Sequence, residues 1–163
     1  MRQPNYILTL LFILSGSPAA FGQGTQQPPG HDLVWAHDFP DPTVIRAADG
    51  TWYAYGTQGG YDGHHARIQV ASSPDGIRWS WRGDALGAAP AWASRSDRFW
   101  APDVVYDSIR RRYVLYYAAQ RDGGDRGMGI GVAVSISPLG PFRSTGKPLV
   151  SAPGFEAIDP MAF

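Results

Sequence analysis

The sequence has no cysteine, so it can form no disulfide framework and offers no cysteine for lipid attachment; its stability has to come from packing. It has no net charge either. Fourteen basic residues balance fourteen acidic ones, which excludes the one-sided basic footprint of a nucleic-acid binder and favours a neutral partner. A hydrophobic run long enough to span a bilayer is also missing. The apolar stretch at 6–14 follows Met1-Arg2-Gln3-Pro4-Asn5 and leads into small and turn-forming residues up to Gly22. That order reads as a secretory signal peptide over residues 1–22, cleaved near Gly22-Gln23, so the mature protein is expected to be secreted or periplasmic with no membrane attachment. Residues 23–32 show no periodicity and read as a flexible leader, with the folded part starting at residue 33. No helical periodicity follows.

What the sequence does contain is aromatic and turn-forming. Aromatics make up 13% of the chain, with six Trp and eight Tyr, and the 44% apolar content is enough for a core. Flat apolar faces with polar edges suit packing between sheets and also stacking on sugar rings. Strand signals recur at short, even intervals: 43–46, 52–57, 67–72 and 77–82, separated by Asp49-Gly50, Gly59-Gly60 and Asp75-Gly76. A second set follows at 104–106, 112–118, 129–134 and 142–144, with turns at 108–111, Asp122-Gly123-Gly124 and Pro138-Leu139-Gly140. The closing turns correspond as well, Ser73-Pro74-Asp75-Gly76 matching Ser137-Pro138-Leu139-Gly140.

Each module opens on a proline followed by strand formers: Asp41-Pro42-Thr43-Val44-Ile45, then Ala101-Pro102-Asp103-Val104-Val105, then Asp159-Pro160-Met161-Ala162-Phe163. Pro42, Pro102 and Pro160 lie 60 and 58 residues apart, a period that predicts four-stranded β modules set radially, as in a propeller. The fold class expected is therefore all-β, with two blades and the beginning of a third in residues 33–163. The third module stops within its first strand, so the sequence reads as the N-terminal part of a larger domain, not stable alone.

Phe39-Pro40-Asp41-Pro42-Thr43-Val44-Ile45, Phe99-Trp100-Ala101-Pro102-Asp103-Val104 and Ala157-Ile158-Asp159-Pro160, in that order and spacing, resemble glycoside hydrolase family 43. The resemblance covers nearly all of the chain after the leader. It implies a five-bladed β-propeller that inverts configuration while cutting arabinan, xylan or related pentose polymers, with no required cofactor. Inversion needs one carboxylate to activate water and an opposed carboxylic acid to protonate the leaving oxygen, about 6.5–9.5 Å apart. By the resemblance Asp41 is the general base, and Asp159 holds the acid in place and raises its pKa, a role with a clear electrostatic basis because a negative neighbour disfavours ionisation. The acid itself is a glutamate of a later blade, so residues 1–163 alone are expected to be inactive. Trp100 occupies the place of an aromatic lining the sugar pocket, although a core Trp between blades fits the same position.

The other polar residues read as structural. Glu156 precedes the third opening by three residues and belongs to the loop leading into it. Asp38 is the rival for the base, but Asp41 directly precedes the strand. Asp103 follows its proline and is expected in hydrogen bonds to turn amides. His64 and His65 are adjacent, would point to opposite faces of a strand, and lie among glycines that suggest a loop, so no metal ligand is assigned. A calcium ion held in the central channel, known for some members of the family, would rely on a histidine from a later blade. Arg110-Arg111-Arg112 reads as a solvated basic turn. The partner expected is a polysaccharide or oligosaccharide and the protein a monomer. Two other readings remain, a non-catalytic sugar-binding propeller and a fructan-cleaving furanosidase, the latter disfavoured by the absence of its Asn-Asp-Pro-Asn-like opening.

Overall fold

The computed structural model describes residues 35–123 and 127–163; the signal peptide and leader expected at 1–22 and 23–32 fall outside the described residues. Strands appear in the order β1 (Thr43–Arg46), β2 (Trp52–Gly56), β3 (Gly59–Tyr61), β4 (His64–Ala66), β5 (Gln69–Ser73), β6 (Ser80–Asp84), β7 (Phe99–Asp107), β8 (Arg112–Gln120), β9 (Met128–Ser135) and β10 (Arg143–Ser144). One 3-10 turn, Ala91–Ala93, lies between β6 and β7. Two antiparallel four-stranded sheets result, β1-β2-β5-β6 and β7-β8-β9-β10, with β3-β4 as a separate hairpin. Among the described residues no helix is long and apolar enough to cross a membrane.

Strands close in sequence pair with one another, and in the first sheet β2 pairs with β5 across the β3-β4 hairpin that interrupts the connection. Gly50 supplies positive φ at the first turn, where Asp49 accepts a hydrogen bond from the Thr51 amide at 2.9 Å. Both closing turns place their glycine at positive φ, with Gly76 and Gly140 at +75° and +84°. β8 lies inside its sheet and shows how both faces are used. Tyr113, Leu115, Tyr117 and Ala119 enter one core with Tyr53, Tyr55 and Val70 of the first sheet and with Ile68 just before β5, whereas Ala118 faces a second cluster with Met128, Ile130 and Ala157. Tyr55 and Phe142 fasten the two sheets together. Their rings meet edge to face at 6.0 Å, the Tyr55 hydroxyl donates to the Pro138 carbonyl at 2.5 Å, and the Phe142 amide donates to Ala85 at 2.7 Å. Burying each such ring contributes about 1.5–3 kcal/mol.

Four expectations need correction. Gly59-Gly60 is not a turn but the start of β3; the turn is Asp62-Gly63, with both residues at positive φ. His64 and His65 are consequently on a strand and not in a loop. The fourth strand begins at Ser80 instead of Ile77, because the Asp75 carboxylate accepts from the amides of Ile77 and Arg78 at 3.0 and 2.8 Å and prolongs the turn. These amides hold the Asp75 carboxyl at about 2, well below its ordinary value. Finally, β7 starts at Phe99 rather than Val104, since the strand continues back across a bulge at Ala101-Pro102.

Candidate active site

Asp41, Ala101 and Asp159, each the residue before its module's proline, adopt positive φ of 49°, 44° and 54°. A non-glycine residue in that region is uncommon and costs about 1–3 kcal/mol, and three in sequence register mean that one backbone device is repeated. The bulge in β7 shows what it accomplishes. Trp100 pairs with Ala118 and Asp103 with Tyr116, so two residues stand opposite one, and Pro102, which has no N–H to donate, occupies the interrupted position. The strand is bent there and the residue before proline is re-aimed.

Two side chains join the three openings. The Thr57 hydroxyl donates to Asp41 Oδ2 at 2.7 Å and accepts from the Ala101 amide at 2.8 Å, linking the first opening to the second. Asp103 accepts from the Thr43 hydroxyl at 2.9 Å through Oδ1 and from the Ala162 amide at 2.7 Å through Oδ2, linking all three. The structure thus brings Asp41 and Asp159 into one assembly. Both carboxylates are exposed to solvent.

The loop that presents Asp41 is fixed from below by Gln69, which is fully buried. Its Nε2 donates to the carbonyls of Asp38 and Thr57 at 3.1 and 3.0 Å, and its Oε1 accepts from Trp81 Nε1 at 3.2 Å and from His37 Nε2 at 3.1 Å. The indole can only donate and the carbonyls only accept, so the amide has one possible orientation and His37 carries its proton on Nε2. Gly59 has to be glycine here, because a Cβ would collide with the Gln69 amide. Above this hub the Phe39 ring lies against Gly56, where a Cβ would approach to 2.9 Å, and the Thr57 amide donates to the Pro40 carbonyl at 3.0 Å.

Residues 32–163 match the family model described as "Glycosyl hydrolases family 43". The chain belongs to this family. It is 34% identical over 130 residues to the arabinan endo-1,5-alpha-L-arabinosidase C of Emericella nidulans, covering 77% of this chain and 36% of that enzyme. It is 36% identical over 107 residues to the arabinoxylan arabinofuranohydrolase of Paenibacillus polymyxa, covering 56% and 15% respectively. Among solved structures, the alpha-L-arabinanase of Cellvibrio cellulosa aligns at 30% identity with a TM-score of 0.57, covering 75% of this chain and 39% of that one. The chain therefore spans little more than a third of the fungal enzyme's length. Its two four-stranded sheets are blades of the family's five-bladed propeller.

Within this family 43 chain, Trp100 is half-buried, packed on the cluster of Ala118, Met128, Ile130 and Ala157, with the Arg98 guanidinium 5.7 Å from its ring. Asp103 is structural, as expected, but its partners are a strand hydroxyl and the third opening instead of turn amides. Asp38 engages the network only through its carbonyl, and Glu156 is exposed on the loop before Asp159. Arg110 and Arg112 approach Asp107 at 3.3 and 3.6 Å, so its carboxylate balances one of the three positive charges of the basic turn. Among the described residues no group of three His, Asp or Glu side chains is placed to hold a metal ion.

Sequence reasoning missed Thr57 and Gln69. For Gln69 a signal existed: a glutamine inside the apolar strand Ile68-Gln69-Val70-Ala71 has to satisfy four hydrogen-bonding positions out of water. Thr57 carried none, since a Thr after Gly56 at a strand end reads as an ordinary turn residue.

Proposed function

We propose that this chain is part of a secreted glycoside hydrolase that cleaves arabinan- or xylan-type plant polysaccharides with inversion, arabinan first. The observation that carries the reading is the repeated positive-φ residue before proline, which in two of its three occurrences presents an aspartate, with Thr57 and Asp103 tying all three into one assembly. Asp41 takes the proton from the attacking water as general base. Asp159 keeps the general acid, a carboxyl from outside these residues, protonated until it passes its proton to the leaving oxygen. Trp100 offers an indole for stacking on the sugar beside the scissile bond. The names of the fungal and bacterial relatives support the pentose-polymer class, and the order of residues 1–22 supports export.

The test is to express the gene's complete reading frame and follow arabinan and xylan hydrolysis by proton NMR. Release of sugar whose first-formed anomer is inverted is expected. A protein that binds arabinan and releases nothing would overturn the hydrolase reading in favour of the sugar-binding one. Asp159 has its own measurement. Asp159→Asn removes the negative neighbour that disfavours ionisation of the acid, so the alkaline limb of the kcat/KM profile is expected to move to lower pH; an unmoved limb would remove Asp159 from that role.

A further inference from the structure

Building on the reading of Asp41 as base, we propose that Thr57 is a positioning residue that decides which oxygen of Asp41 takes the proton from water. The Ala101 amide can only donate, and it points at Thr57 Oγ1 from 2.8 Å. The hydroxyl is therefore an acceptor on that side, and its single proton is committed to its other partner, Asp41 Oδ2, at 2.7 Å. An oxygen accepting this hydrogen bond gives up electron density and one of its two lone pairs to it, which leaves Oδ2 the less basic of the two carboxylate oxygens and the less open to water. Among the described residues Oδ1 has no hydrogen-bond partner, and it is the oxygen left to act as base.

The same hydroxyl ties the carboxylate to the second blade. Ala101 is held at φ 44° inside the bulge of β7, directly after Trp100, so Thr57 fixes the base relative to the strand that carries the indole. Thr57 is itself held at both ends of its peptide, with its amide donating to Pro40 at 3.0 Å and its carbonyl accepting from Gln69 at 3.0 Å. A one-hydroxyl bridge between two strained openings is a rigid way to place a base, and displacing a reacting group by about 1 Å costs about 10²-fold in rate.

The experiment compares Thr57→Ala, Thr57→Ser and Asp41→Asn in the complete reading frame, reading kcat and KM on arabinan and the affinity for arabinotriose. Thr57→Ala is expected to lower kcat about 10²-fold with KM and arabinotriose affinity within twofold of wild type, and Thr57→Ser to recover most of the loss. Preserved arabinotriose affinity shows that the site is intact in the alanine variant. If that variant does not fold, the serine variant decides, since a kcat lowered as far as that of Asp41→Asn would overturn the assignment. Wild-type kcat in Thr57→Ala beside an inactive Asp41→Asn would overturn the positioning role alone. An active Asp41→Asn would overturn the base and with it the role of Thr57.

Discussion

Replacing Asp41 with Asn in the complete reading frame is expected to cut kcat on arabinan by about 10²–10⁴-fold, the range that general base catalysis supplies. The substitution should leave the fold and the sugar affinity nearly untouched. An asparagine carbonyl can still accept the Thr57 hydroxyl, which donates at 2.7 Å in the native protein, and the side chain keeps its shape. That same bond would aim the amide nitrogen outward, where the native carboxylate exposes Oδ1. The group facing the water would then be one that donates protons and takes none. Calorimetry with arabinotriose should give wild-type affinity while reducing-sugar release falls. Turnover within threefold of wild type would remove Asp41 from the reaction and reopen the case for Asp38, which meets the network only through its backbone carbonyl.

The architecture was legible because it is periodic. Proline openings about sixty residues apart and matching Ser-Pro closing turns marked two modules, and the two four-stranded sheets follow them. Boundaries were misplaced where side chains compete with the ladder. Asp75 captures two amides and delays β6, while Pro102 hides the bulge that lets β7 begin at Phe99. Likewise, Asp41 and Asp159 stood out by their repeated placement, but the groups that orient Asp41 did not. Thr57 and Gln69 act through contacts 44 and 31 residues away along the chain, to Ala101 and Asp38, and such partners have no local signature. The positive φ before each proline was invisible for another reason. A residue before proline is expected in extended conformation, and only the tertiary assembly around these openings overrides that preference.

Gln69→Leu is the substitution expected to cost the most stability, about 3–5 kcal/mol. The leucine nearly matches the glutamine in volume and loses nothing in apolar burial, so the cost is polar. Two carbonyls, the Trp81 N–H and the His37 N–H lose their partner together, and each buried group left unpaired costs about 1–3 kcal/mol, less where water can reach it. Gly59 leaves no room for a compensating shift of the side chain toward β3. Because Asp38 and Thr57 bracket the Asp41 loop, releasing both also loosens the base. Urea unfolding of the complete reading frame should therefore show the lowered midpoint, and the folded variant should show a kcat below wild type even at concentrations of denaturant far from unfolding. A loss under 1 kcal/mol would mean that water replaces the amide and that Gln69 is no hub. The expected loss of stability with unchanged kcat would mean that the loop keeps its shape through Phe39 on Gly56 and the Pro40–Thr57 bond alone. Comparison with Thr57→Ala separates the two levels of support, since removing the hydroxyl touches the carboxylate directly and leaves the buried amide and its four bonds in place.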